Sequence, residues 1–261
     1  QGRKWGGATG NADYGYFGAG QPNVTSVDRI DYSNDTATAS LRGPLTVYNY
    51  GYGATGNTSY GYFGGISLGR TRVDRIDFSN DSPTATTKGP LSAGRYGLTA
   101  TSSRANANPT SVTPSVTIDK GAEGYTLAGP LGPAFGYWIG GNPSGLSTVN
   151  RIDFSNDTGT AGVRGNLDRA VSRNATVSSL NYSYTVGGFS DTNISRIDYA
   201  DDTVTATPKG NLPPISGLSS PAGVDTINYG YICGGLPLTT VNRIDFSNDT
   251  TVASAKGPLT A

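Results

Sequence analysis

Apolar and polar positions alternate along this chain in short runs, and glycines and small polar clusters separate the runs. The clearest run is V-N-R-I-D-F-S-N-D-T, Val241 to Thr250. It returns almost unchanged from Val27, Val73, Val149 and Ile194. Side chains alternate across a strand, so Val27, Arg29 and Asp31 share one face while Asp28, Ile30 and Tyr32 share the other. Ahead of each copy stands an aromatic alternation that usually closes in glycine: Tyr14 to Gly20, Tyr60 to Ile66, Phe135 to Gly141, Tyr182 to Gly188 and Tyr229 to Gly235. This predicts a strand whose end is crowded by neighbouring backbone. The polar cluster Ser33-Asn34-Asp35-Thr36 reads as a hairpin turn, leading into a third strand, Thr36 to Leu41. A basic residue with Gly-Pro-Leu or Gly-Asn-Leu then signals another turn, as in Arg42-Gly43-Pro44-Leu45. A fourth strand follows, as in Arg95 to Thr101. Four antiparallel strands in about 46 residues make one propeller blade.

The expected fold is therefore all-β, a single β-propeller domain over residues 1–261. The repeats run 12–57, 58–103, 134–180, 181–227 and 228–261. One interval is longer by about 30 residues, a departure from the period. Within it, Pro114 to Leu131 holds an alternating strand, a glycine-bounded turn and an A-G-P-L ending. This predicts a degenerate blade over 104–133 and six four-stranded blades in all; five blades plus an insertion is the alternative. The chain ends where a fourth strand should begin, and Arg3 to Asn11 matches that strand, so the N-terminal strand is expected to complete the last blade and close the ring.

The pieces Gly64-Gly65, Ile76-Asp77-Phe78, Ser79-Asn80-Asp81 and Gly89-Pro90-Leu91 followed by Arg95 resemble the kelch repeat. The usual third-strand Trp is replaced by Ala or Thr. The wording Y-G-Y-F-G-G with V-D-R-I-D-F-S-N-D also resembles repeats of structural or fibre proteins of marine bacteriophages. That resemblance implies a virion or extracellular setting, with partners among virion or assembly proteins or a host-surface glycan.

Composition narrows the chemistry. The 19 basic and 19 acidic residues cancel, which argues against nucleic acid as a partner. No apolar run is long enough to insert in a membrane. With Gln1 first, the chain reads as a processed product or as part of something longer. There is no histidine, so a Ser-His-Asp triad, an imidazole metal site and a kelch-type copper oxidase centre all drop out. Cys233 is the single cysteine, so no internal disulfide forms. Nine Asn-x-Ser/Thr sequons, Asn174 among them, matter only in a glycosylating pathway.

The recurrent pairs Arg29/Asp31, Arg75/Asp77, Arg151/Asp153, Arg196/Asp198 and Arg243/Asp245 are the first candidate site. A ring of arginines could bind carboxylates. Recurrence in every copy favours a structural pairing within a blade or with the adjoining one. Turn chemistry accounts for S-N-D-T without calcium. The one segment outside the repeat holds Asp119, Lys120 and Glu123, a candidate contact for a partner. No cofactor is expected. The reading is a non-enzymatic structural or adhesion module, with a glycan-binding propeller as the alternative and a glycosidase a distant third. Self-assembly into a homo-oligomer stays open.

Overall fold

The computed structural model describes residues 2–48, 50–66, 70–102, 135–188, 191–214, 218–235 and 238–259. They form five four-stranded antiparallel sheets, each a meander of consecutive strands. Blade 1 comprises β1 (Gly7–Gly10), β2 (Tyr14–Gly18), β3 (Val27–Asp31) and β4 (Ser40–Arg42). Blade 2 comprises β5 (Gly53–Gly56), β6 (Tyr60–Ile66), β7 (Arg70–Asp77) and β8 (Thr86–Lys88). Blade 3 comprises β9 (Thr99–Ser102), β10 (Phe135–Ile139), β11 (Val149–Asp153) and β12 (Gly162–Val163). Blade 4 comprises β13 (Ala175–Ser178), β14 (Tyr182–Val186), β15 (Asn193–Asp198) and β16 (Thr207–Asn211). Blade 5 comprises β17 (Ala222–Asp225), β18 (Tyr229–Cys233), β19 (Val241–Asp245) and β20 (Ser254–Lys256). The described residues form a β-propeller of five four-stranded blades. Among the described residues no helix is long and apolar enough to cross a membrane.

Two expectations meet this arrangement differently. The degenerate sixth blade expected over 104–133 lies outside the described residues. Its flanks are informative, because β9 and β10 pair directly with each other, Ser102 opposite Gly136. The described residues on either side of the long stretch are thus the first and second strands of one blade. The expected closure by a shared blade is corrected. β1 pairs with β2, Ala8 opposite Phe17, and the last sheet is complete with its own β17. The reason is local. Asn11 Oδ1 accepts hydrogen bonds from the backbone N–H of Asp13 and Tyr14 at 3.0 and 2.9 Å, a tight Asx-type turn that folds β1 straight onto β2. The same turn recurs at Asn57, whose Oδ1 accepts from Ser59 and Tyr60 N–H. So the glycine-rich strand belongs with the Y-G-Y strand that follows it, and each blade is framed one strand earlier than the repeat count suggests.

The apolar core divides into four clusters, and each lies between two neighbouring blades. Leu45 and Tyr16 of blade 1 pack with Ile76, Phe78 and Ala85 of blade 2. Leu91 and Tyr62 of blade 2 pack with Ile152 and Ala161 of blade 3. The same positions repeat between blades 3 and 4 and between blades 4 and 5. Both faces of an interior blade are thus buried, which lets a chain with only 35% hydrophobic residues build a core from short strands.

Candidate functional site

The repeat residues meet between blades. Tyr16 of β2 donates its hydroxyl to Asp81 at 2.9 Å, and Arg29 of β3 reaches the same carboxylate at 2.8 Å. Arg42 lies 3.5 Å from it. Asp81 sits in the S-N-D turn of blade 2, so three donors of one blade converge on one acceptor of the next. Tyr62, Arg75 and Lys88 do the same to Asp157 at 2.8, 2.7 and 3.2 Å. Arg151 with Tyr137 serves Asp202, and Arg196 with Tyr184 serves Asp249. The tyrosine rings stack on the next blade's aromatic residue, Tyr16 on Phe78 at 4.8 Å and Tyr62 on Phe154 at 4.9 Å between centroids. Burial pushes the Tyr16 phenol up to about 12, and its hydrogen bond to Asp81 adds to that. Burial also raises the Asp157 carboxyl, but hydrogen bonds from Tyr62, Lys88 and Arg75 outweigh it and leave its pKa below the ordinary value.

Of the two pairings expected for each Arg, within its blade or with the adjoining one, the second is found, and the Asp two residues on is not the partner. Arg29, Arg75, Arg151 and Arg196 bind the turn aspartate of the adjoining blade, not Asp31, Asp77, Asp153 or Asp198. Alternation places each Arg and the next-but-one Asp on one face, but the Asp is the last residue of its strand. Asp31 turns back to accept from Ser33 N–H at 2.9 Å and Ser33 Oγ at 2.6 Å. Asp77, Asp153 and Asp245 cap their turns through Ser79, Ser155 and Ser247, and Asp198 accepts from Ala200 N–H. The Ser33 hydroxyl and then its N–H hold the Asp31 carboxyl below its usual range. Each guanidinium instead lies over the first aromatic of its own sheet, Arg29 over Tyr14 at 4.1 Å and Arg243 over Tyr229 at 4.2 Å. These residues are consumed by the scaffold. Asp119, Lys120 and Glu123 lie outside the described residues. Cys233 ends β18 half-buried, and burial raises its thiol pKa.

A second set of equivalent positions behaves differently. One residue just ahead of each innermost strand has left-handed backbone: Trp5 (φ 60°), Gly51 (φ 80°), Gly97 (φ 61°), Arg173 (φ 54°) and Ser220 (φ 55°). Their peptides form a hydrogen-bonded chain around the axis. Gly51 N–H donates to Trp5 O at 2.8 Å, Gly97 to Gly51 at 2.9 Å, Arg173 to Gly97 and Ser220 to Arg173 at 3.0 Å each. Three of the five carry a side chain in a region that costs them about 1 kcal/mol or more, and such strain concentrates at functional sites.

This chain rims a cavity of about 380 Å³ at the mouth of the propeller axis. Its aromatic side is Trp5, Tyr50 and Tyr96, with the Trp5 and Tyr50 rings 5.5 Å apart and tilted by 41°. Its polar side is Asn142, Arg173 and Asn174. Asn174 is only 8% exposed, and among the described residues neither its amide nitrogen nor its amide oxygen has a hydrogen-bond partner. In the other blades that position is Gly6, Tyr52, Leu98 or Pro221. A buried amide left without partners costs on the order of 1–3 kcal/mol. None of the described lining residues carries a carboxylate. A broader depression beside Arg3 and Pro22 is less suited to a ligand, because Arg3 is already bonded to Ser26 and Asp28.

Sequence reasoning missed this mouth. The signal was available: among copies that agree nearly everywhere, the residues before the glycine-rich strand disagree. Arrays of aromatic rings beside amide and guanidinium donors suit ligands with one apolar face and a polar rim, carbohydrate rings above all. Fold and mouth together define the class, a β-propeller with a small polar and aromatic cavity on its axis. No protein-family profile matches the chain, and no curated protein matches it.

Proposed function

We propose that the chain is a non-enzymatic adhesion module that binds a surface glycan at its axial mouth. The observation that carries this reading is Asn174. A protein that leaves both atoms of a buried amide unpaired in a cavity wall loses stability for it, and a ligand hydroxyl can supply what is missing. Trp5, Tyr50 and Tyr96 bring aromatic rings to the cavity, and the cationic Arg173 lines its polar side. Likeness of the repeat wording to marine phage fibre repeats supports placing the module on a virion, where a host glycan is the natural target.

A glycan microarray probed with the labelled protein tests the reading. Binding to a defined set of sugars is expected, and Trp5→Ala and Arg173→Ala should each weaken it by tenfold or more. An empty array, or binding that ignores both substitutions, would sink the proposal. Capsid or tail genes beside its own gene would support the virion setting, and metabolic genes there would count against it.

A further inference from the structure

Among the described residues four interfaces between blades are built, and the same chemistry stands ready for a fifth that they do not make. No hydrogen bond, ion pair or ring contact links blade 5 to blade 1 among the described residues. Yet each edge carries its half of the repeated interface. Blade 5 presents Tyr231, Arg243, Lys256 and Leu259 where blade 1 uses Tyr16, Arg29, Arg42 and Leu45. Blade 1 presents Tyr32, Asp35 and Ala39 where blade 2 uses Phe78, Asp81 and Ala85.

The exposures measure what is unmade. Leu45, Leu91, Leu167 and Leu212 are 1–3% exposed, while Leu259 is 47% exposed. Phe78 is 8% exposed and Tyr32 is 52%. Val177 of β13 is fully buried against blade 5, but its counterpart Val224 is 58% exposed. Asp81, Asp157, Asp202 and Asp249 are buried among their donors, and Asp35 is exposed. Arg29, Arg75, Arg151 and Arg196 each meet a carboxylate of the next blade at 2.7–2.8 Å, while the Arg243 guanidinium meets none among the described residues.

Glycine gives the sharpest contrast. A Cβ built on Gly43, Gly89, Gly165 or Gly210 would fall 1.6–1.9 Å from a carbonyl oxygen of the next blade. Those glycines exist to let two backbones touch, and Gly89 N–H donates across the gap to Asp157 O at 2.8 Å. Gly257 holds the same place on blade 5 and, among the described residues, a Cβ there would have nothing within 4 Å.

We propose that the two edges are halves of one interface and that a second copy of this chain completes it, blade 5 of one protomer seated against blade 1 of the next. The occupant is specified by the edge itself. It must bring an aspartate to Arg243, an aromatic ring to Tyr231 and a carbonyl to Gly257 N–H, and the blade 1 edge brings all three. The charges complement each other, a cation pair on one edge and a carboxylate on the other. The contact is heterologous, so it leaves one edge of each kind free and continues head to tail unless the rotation closes.

The test measures mass in solution. The purified full chain, followed by light scattering and sedimentation over a wide concentration range, is expected to form dimers and longer species. Gly257→Ala should weaken association at least tenfold while leaving the thermal melt of the monomer unchanged. Arg243→Glu and Asp35→Arg should each weaken association as much, and a chain carrying both should associate again. A wild-type chain that stays monomeric throughout overturns the proposal, and so does assembly indifferent to Gly257→Ala. If Gly257→Ala lowers the melt of a strictly monomeric protein, the edges close within one chain and the second copy is ruled out.

Discussion

The interfaces between blades and the mouth on the axis are built from the same repeat, yet they treat it oppositely. At the interfaces the five copies agree. Tyr16, Tyr62, Tyr137 and Tyr184 all reach an aspartate of the following blade. At the mouth the copies differ: Trp5, Gly51, Gly97, Arg173 and Ser220 share one backbone conformation and no side-chain chemistry. The difference teaches which positions are free. An interface residue must satisfy a neighbour that is itself a copy, so all copies must match. A mouth residue faces the axis, where five unlike side chains can surround one ligand.

The hardest way to break the comparison is at a close approach. Gly89→Ala puts a methyl where Gly159 O already is, 1.6 Å from the new carbon. We expect a loss of at least ~3 kcal/mol, or failure to fold, because backbone on both sides resists moving. Gly97→Ala, at the mouth, has only side-chain atoms within 4 Å. It should cost about 1 kcal/mol for its left-handed backbone. Urea denaturation of the two variants measures the contrast.

Next in size is the anion of an interface. Asp157→Ala leaves Tyr62, Arg75 and Lys88 around an empty site and should cost about 2–3 kcal/mol, the lower end for a broken buried pair because the cations keep some solvent. The wild-type contribution depends on acid. The Asp157 pKa in the fold lies below 3.8, so the stabilisation is complete above about pH 4 and is lost as pH falls through the folded value. Denaturation midpoints of wild type and variant should converge below that point.

Asp225 runs the other way. Burial pushes its carboxyl up to about 6, against hydrogen bonds from Ser178. Between the ordinary value of 3.8 and 6 the folded state holds more protons than the unfolded state, so stability falls as pH rises through that window. Asp225→Asn should therefore stabilise the protein by on the order of 1–2 kcal/mol at pH 7.5 and have no benefit at pH 3.5. The smallest effect sharpens the reading of the mouth. Asn174→Leu, which copies Leu98 of the preceding repeat, should gain about 1 kcal/mol by removing unpaired polar atoms. It should also weaken glycan binding, and a stability gain with binding intact would show that Asn174 has no ligand role.

The second strand of each repeat and the aromatic strand before it were legible, whereas the third, expected from Thr36, begins only at Ser40, and the fourth, expected from Arg95, begins only at Thr99. Alternation in V-N-R-I-D-F and Y-G-Y places β11 and β10 within a residue or two of where they lie, because a strand needs only its own side-chain pattern and a polar turn after it. The partner of each arginine was not legible. Arg29 and Asp31 look paired in sequence, and the true acceptor, Asp81, is 52 residues away. Nor was Arg95, which any composition argument would place in water. It is 1% exposed, and its guanidinium donates to the carbonyls of Thr148, Gly140 and Trp138 and to Asn150. Burial pulls its pKa down to about 10.

By itself, then, the sequence determined an all-β propeller, the recurrence of its strands and the turns between them. Those follow from periods of a few residues and from backbone preferences that act within one hairpin. Tertiary structure alone decided which strand opens each blade, which aspartate answers each arginine, and that Trp5, Tyr96, Arg173 and Asn174 surround one cavity. The physical reason is distance along the chain. A blade's faces are alike in every copy, so the sequence shows what they can bind, but packing about an axis chooses the neighbour. At Gly257 and Asp35 no described residue of another blade is packed, and the same residue types stand exposed.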